Sequence, residues 1–113
     1  MLTGRNALVT GAGKGIGKAI AMELAANGAF VIVNYNGSKA AAEQTVAEIK
    51  EAGGDAVAYQ CNVADYKACA GMTADLIKSY AHIDILVNNA GITRDGLLMK
   101  MSEEDFDAVI DTN

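Results

Sequence analysis

Short apolar runs alternate with longer amphipathic stretches along the whole chain. Asn6-Ala7-Leu8-Val9-Thr10 is an apolar run flanked by polar residues and then glycine. A run of that length without polar alternation reads as a strand buried on both faces. Phe30-Val31-Ile32-Val33, Ala56-Val57-Ala58-Tyr59 and Ile83-Asp84-Ile85-Leu86-Val87 repeat the pattern. The stretches between them have helical spacing. Residues 16–27 carry Ile16, Ile20 and Leu24 at i, i+4 and i+8, and Gly28 is placed to end that helix in a left-handed turn. Ser38 is the expected cap of a second helix reaching about residue 52, with Ala42, Val46 and Ile49 as its stripe and Gly53-Gly54 as its stop. Asp65 is the expected cap of a third, bearing Met72, Leu76 and Tyr80. A loop over 91–101 follows the fourth strand, and Ser102 is expected to open a fourth helix that the C-terminus interrupts.

Buried strands joined by helices imply parallel pairing through right-handed crossovers. The order predicts one α/β domain, a Rossmann-type doubly wound parallel sheet, with no internal linker and no tandem repeat. The chain has 113 residues, 51% apolar and 20% charged, the balance of a globular core. Its net charge of −5, with no basic stripe, argues against a nucleic-acid partner. No apolar run approaches membrane-spanning length, and Met1-Leu2-Thr3-Gly4-Arg5 leads directly into a strand, so neither a membrane anchor nor a signal peptide is expected. The two cysteines, Cys61 and Cys69, read as reduced thiols of a cytoplasmic protein, His82 as a surface residue, and no metal site is expected.

The candidate chemistry begins where the first strand ends, in Thr10-Gly11-Ala12-Gly13-Lys14-Gly15-Ile16-Gly17. A phosphate needs close approach to backbone N–H groups at a helix start, where the dipole is positive, and glycine removes the side chains that would block it. Ile16 takes the place of the third glycine of G-x-G-x-x-G, so the spacing is Gly-x-x-x-Gly-x-Gly on Gly11, Gly15 and Gly17. The second signal, Asn88-Asn89-Ala90-Gly91, directly follows the fourth strand, on the side where such sheets bind ligands.

These two ordered motifs resemble those of the classical short-chain dehydrogenase/reductase family. Val87 to Asp95, Leu97-Leu98-Met99 and Asp111-Thr112-Asn113 look most like its 3-oxoacyl-[acyl-carrier-protein] reductase group. The resemblance implies a strand order of 3-2-1-4, truncated after the fourth strand and the start of the next helix. Residues 1–113 are then the dinucleotide-binding part of a single Rossmann domain, with the C-terminal catalytic part absent. It implies that Gly11, Lys14, Gly15, Ile16 and Gly17 hold the pyrophosphate and adenosine ribose. Asn62-Val63 matches the adenine-contacting pair, usually Asp-Val, and Asn89, Ala90 and Gly91 line the cofactor beneath the nicotinamide ribose.

An acid ending the second strand would bond a ribose 2′-hydroxyl and repel a 2′-phosphate. Here Asn34 stands at that end, followed by Tyr35 and Asn36, and no carboxylate appears before Glu43. With Lys14 in the glycine loop, where NADP-using members of the family often carry a basic residue, the cofactor expected is NADP(H), and Tyr35 flanks the adenine ribose.

The family's chemistry is hydride transfer between nicotinamide and a carbonyl or alcohol, here a small-molecule or carrier-protein-linked acyl substrate. Its catalytic asparagine matches Asn113. The serine and the Tyr-x-x-x-Lys pair are expected later than residue 113, so this chain is expected to bind cofactor weakly and not to turn over. Tyr35 and Lys39 have the right spacing, but they belong to the adenosine end of the site, and Gly37 interrupts the turn between them. The strand over 83–88 is expected as an open apolar edge. The resemblance further implies a homotetramer. Two other classes fit less: a non-catalytic nucleotide-binding module, and a methyltransferase-like domain, against which Asn34 and the N-N-A-G motif both speak.

Overall fold

The computed structural model describes residues 1–89 and the backbone of a strand at residues 108–111. Among the described residues the elements follow in the order β1 (Asn6–Val9), α1 (Gly15–Ala26), β2 (Phe30–Tyr35), α2 (Lys39–Glu51), β3 (Asp55–Gln60), α3 (Tyr66–Tyr80), β4 (Ile85–Asn88) and β5 (Ala108–Asp111). Among the described residues the sheet is entirely parallel, in the order β3-β2-β1-β4-β5. The expected 3-2-1-4 core is therefore present.

Strand periodicity explains how both faces fill. Ala7 and Val9, Val31 and Val33, and Ile85 and Val87 point to one side, into a core shared with α1 and α2. Leu8, Ile32 and Leu86 point to the other, where Cys69, Met72 and Leu76 of α3 meet them. Each fully buried Leu or Ile contributes about 2 kcal/mol by leaving water. Ile83 was expected inside the fourth strand. It precedes β4 instead, yet it is fully buried in the α3 core.

Two expectations are corrected. The stripe of α1 was read as Ile16, Ile20 and Leu24. The buried face is Gly17, Ala21 and Ala25, with Ile20 and Leu24 packed at its flanks and Ile16 66% exposed. The glycine loop holds the start of α1 tightly against the sheet, so the residues beneath it must be small. The second correction concerns the fourth helix. Of the segment from Ser102 onward, the described part is β5, which pairs with β4 from Ile85↔Ala108 to Asn88↔Asp111. The outer edge of β4 is thus covered rather than open. A strand buried on both faces leaves a row of unpaired backbone groups at its edge, and Val109-Ile110, two β-branched residues, suit the ladder that satisfies them.

The caps at Ser38 and Asp65 are present. Ser38 accepts from Ala41 N–H, and Asp65 accepts from Lys67 and Ala68 N–H. At the far end of α3 the chain turns through Ala81 at φ +73°. That turn brings Asp84 against β1, where its carboxylate accepts from Asn6 N–H at 2.8 Å and lies 2.7 Å from His82 Nδ1. An L-residue is strained in this backbone region and glycine is not. Ala81→Gly is expected to raise stability by about 0.5–1 kcal/mol, read as a higher urea midpoint at unchanged slope.

Candidate functional site

The site forms where the C-terminal ends of β1, β2, β3 and β4 meet the first turns of α1 and α2. Gly11 and Gly15 adopt φ +61° and +64°, which lets the chain turn sharply from β1 into α1. Gly17 is needed for a different reason, close approach. A Cβ there would lie 2.4 Å from Gly11 O and 2.5 Å from Asn89 Nδ2. Those two atoms are already joined, since Asn89 Nδ2 donates to Gly11 O at 3.2 Å. Asn89 N–H also donates to Thr10 Oγ1 at 2.9 Å, and Thr10 N–H donates to Val87 O at 3.0 Å. The two sequence motifs are thereby stitched together across neighbouring strands β1 and β4.

Lys14 stands at the N-cap of α1, in extended backbone, and makes no side-chain cap. No acidic residue occupies the first turn. The first-turn N–H groups of α1 are thus left without a side-chain acceptor, the arrangement that receives an anion. Lys18 is engaged with Glu48 of α2 at 2.5 Å, and Lys39 lies 3.8 Å from Glu43. Lys14 has no carboxylate partner among the described residues.

Two cavities open beside this loop. The larger, about 390 Å³, is walled by Gly11, Gly13 and Lys14 on one side and by Tyr35, Asn36 and Ser38 on the other. None of its lining residues is acidic. The smaller, about 120 Å³, lies between Gly11, Asn34 and Asn36 and the segment Cys61-Asn62-Val63-Ala64 after β3.

Asn34 sits between them, 2% exposed. Its Oδ1 accepts from Gly11 N–H at 3.4 Å, and its Nδ2 donates to Tyr59 O at 3.4 Å and Cys61 O at 3.2 Å. Its backbone O accepts from Ala12 N–H at 3.0 Å. This one amide holds the glycine loop against the end of β3. Asn34 was also expected to end β2, but the strand continues to Tyr35, because Tyr35 still pairs with Gln60 of β3.

The candidate residues therefore separate by location. Gly11, Lys14 and Tyr35 line the larger cavity, and Gly11, Asn34, Asn62 and Val63 the smaller. Gly17 and Asn89 meet at the Gly11 carbonyl. Gly15 and Ile16 form the first turn of α1 and line neither cavity. Ala90, Gly91 and Asn113 lie outside the described residues. Tyr35 ends β2 and Lys39 begins α2, so this pair does not share a helix face. Sequence reasoning missed Gly13, Asn36 and Ser38 as walls of the larger cavity. Ser38 was legible as a cap, and the adjacency of β1 and β2 is what carries that cap to the glycine loop.

Burial pushes the Cys69 thiol up to about 11, with further help from Cys61, and burial likewise raises Cys61. Neither is a thiolate nucleophile at neutral pH. Among the described residues no group of three His, Cys, Asp or Glu side chains is placed to hold a metal ion.

The family model for short chain dehydrogenases matches residues 5–113. The chain belongs to the short chain dehydrogenase family. The 3-oxoacyl-[acyl-carrier-protein] reductase FabG of Staphylococcus aureus is 53% identical over 109 residues, covering 96% of this chain and 44% of that protein. The 3-oxoacyl-[acyl-carrier-protein] reductase of a Synechocystis strain is 53% identical over 112 residues, 99% of this chain and 45% of the relative. The chain thus spans less than half the length of these curated relatives. Among solved structures, a metagenomic short-chain oxidoreductase in complex with NADP matches with a TM-score of 0.77 and 36% identity, over 80% of this chain and 41% of that one. A short chain dehydrogenase from Mycobacterium avium matches at 0.74 and 44% identity, over 92% and 39%.

Three substitutions test the geometry. Gly17→Ala is expected to cost at least about 2 kcal/mol, since backbone rather than a flexible side chain meets the new methyl. Gly13→Ala, whose Cβ would meet nothing nearer than 3.4 Å, is expected to cost under about 1 kcal/mol, and urea midpoints separate the two. Asn34→Asp keeps the acceptor for Gly11 N–H but turns the donor toward Tyr59 O and Cys61 O into an acceptor. The expected loss is about 3 kcal/mol at pH 7. A protonated carboxyl can donate, so its folded pKa is held above the unfolded value of about 4. The penalty relative to the parent therefore grows as pH rises and is smaller at pH 5 than at pH 7.

Proposed function

We propose that residues 1–113 are the N-terminal, dinucleotide-binding part of an NADPH-dependent 3-oxoacyl-[acyl-carrier-protein] reductase, one part of a single Rossmann domain. The observation that carries the cofactor choice is the larger cavity. It holds a lysine with no carboxylate partner among the described residues, opens onto the start of α2, and has no acidic lining. A 2′-phosphate meets attraction there and no repulsion. The cradle around Gly11 and Gly17, too close for a Cβ, fits a pyrophosphate approaching backbone N–H groups.

Bound, the nicotinamide supplies the hydride that reduces a carbonyl. The residues of this chain bind and orient. Gly11, Gly15 and Gly17 admit the phosphates, Lys14 neutralises them, Asn89 locks the loop to β4, and Ala90 and Gly91 are assigned, by the family resemblance, to the nicotinamide ribose. Asn113 is assigned the proton-relaying water of the family. The general acid and the carbonyl-orienting serine belong outside these residues, because the only Tyr-x-x-x-Lys spacing in the chain joins β2 to α2. The substrate class, a 3-oxoacyl thioester on a carrier protein, rests on the relatives at 53% identity. A cytoplasmic enzyme fits the two free buried cysteines, and no helix among the described residues is long and apolar enough to cross a membrane; a homotetramer rests on the family resemblance alone. A second reading, a binding module without turnover, is favoured by β5, which pairs the outer edge of β4 within the chain.

NADPH is expected to bind about tenfold or more tightly than NADH, a charge-assisted contact being worth about 1.5–3 kcal/mol. Lys14→Ala should erase most of that difference by weakening NADPH more than NADH; equal losses for both dinucleotides would remove Lys14 from the 2′-phosphate site. An assay of NADPH oxidation with an acetoacetyl thioester is expected to show no turnover by the 113 residues alone. Turnover would overturn the placement of the acid and serine elsewhere.

A further inference from the structure

The buried face of α2 is Ala42, Thr45 and Ile49, so one hydroxyl stands fully buried in an otherwise apolar contact. Thr45 Oγ1 lies 3.1 Å from Ala41 O, one turn back, and 3.1 Å from Gly13 O in the glycine loop. Its single proton is shared between the two carbonyls. A hydroxyl within a helix satisfies itself on the carbonyl four residues before it, so the burial of Thr45 does not by itself call for the second bond. The glycine loop does. Gly13 O has no other donor among the described residues.

The bond falls where the loop is otherwise untied. Gly11 and Ala12 are held by Asn34 and Asn89. Among the described residues, no other hydrogen bond reaches residues 13–17 from outside the loop and α1. Glycines at 11, 13 and 15 give the stretch little backbone preference of its own, so contacts must fix it. Gly13 C=O and Lys14 N–H belong to one planar trans peptide. Aiming that carbonyl at α2 therefore fixes the plane from which Lys14 departs and turns the Lys14 N–H away from α2. Lys14 and Ser38, the N-cap of α2, are opposite walls of the larger cavity. Thr45 ties the helix behind one wall to the peptide that carries the other, and it lines neither cavity itself.

We propose that Thr45 is a positioning residue for Lys14. Its hydroxyl holds the Gly13–Lys14 peptide so that the ammonium stays at the cavity where a 2′-phosphate binds, and Thr45 acts on the ligand only through Lys14. The inference rests on the NADP(H) reading proposed above.

The test separates shape from hydroxyl. Thr45→Val keeps the branched side chain and removes the donor, whereas Thr45→Ser keeps the donor and removes a buried methyl. Dissociation constants of the purified protein for NADPH and NADH are read by nucleotide fluorescence, beside urea midpoints. Thr45→Ser is expected to unfold at lower urea yet keep the parent's preference for NADPH within about twofold. Thr45→Val is expected to lose about fivefold in affinity for NADPH and less than about twofold for NADH. In a Lys14→Ala background Thr45→Val should leave the remaining preference unchanged, because the residue it acts through is gone. Equal losses for both dinucleotides in Thr45→Val, or a further fall in preference in the double variant, would overturn the inference and leave the NADP(H) reading standing. A Thr45→Ser protein that loses the preference as fully as Thr45→Val would overturn the role of the hydroxyl. A parent protein that binds both dinucleotides equally, or neither, would overturn the NADP(H) reading and this inference with it.

Discussion

Everything that makes this surface a site depends on one crowded point, the carbonyl of Gly11. The Cβ-less face of Gly17 lies beneath it, and the amide of Asn89 reaches it from the end of β4. A methyl at Gly17 would stand 2.4 Å from that oxygen. Because the contact is that close, α1 is drawn down onto the sheet. Because α1 is drawn down, its buried face can hold only glycine and alanine at 17, 21 and 25. The larger apolar residues are displaced to the flanks, and Ile16 is turned outward. A local requirement for backbone approach thus sets the composition of an entire helix face.

The same closeness fixes the electrostatics. Several backbone groups of the loop are held by neighbours, Gly11 N–H and Ala12 N–H by Asn34 and Gly11 O by Asn89, while the first-turn N–H groups of α1 have no side-chain acceptor. Lys14, at the N-cap of α1, faces the start of α2 across the larger cavity. The cations nearby that belong to helix surfaces, Lys18 and Lys39, are held by Glu48 and Glu43, which leaves Lys14 as the charge directed at the cavity. Positive potential there follows from which lysines have partners, not from the total charge of the chain, which is −5.

How much of this could be read from the chain depended on whether bulk or smallness carried the signal. The buried strands were legible because Val, Ile and Leu leave an apolar run, and their alternate residues divide between two cores as the pleat demands. Helix faces were legible where large residues are buried, as at Met72 and Leu76 of α3. On α1 the same search for bulk selected the wrong stripe, since Ala21 and Ala25 are buried for their size and periodicity of large residues does not register them. Residues Ala108–Asp111, expected within a helix, form a strand for another reason. The helix-like opening at Ser102 is local, whereas that strand answers a distant demand, the unpaired edge of β4. The glycine loop and Asn89 were legible as motifs. That Asn36, Gly13 and Ser38 wall the larger cavity follows only once β2 is known to lie beside β1.

Asn34 shows why fold and chemistry cannot be separated here. At the end of β2 a carboxylate would both bond ribose hydroxyls and repel a phosphate, so its absence reads at first as a statement about the ligand. The structure adds a constraint from folding. Position 34 is buried, and its side chain must accept from Gly11 N–H while donating to the carbonyls of Tyr59 and Cys61. An amide meets both demands and an ionised carboxylate meets one. The residue that joins the glycine loop to β3 is therefore required to be neutral, and the neutrality that the core demands is what leaves the neighbouring cavity open to a second phosphate. Cofactor preference at this end of the site is in that sense a by-product of satisfying three backbone groups out of reach of water.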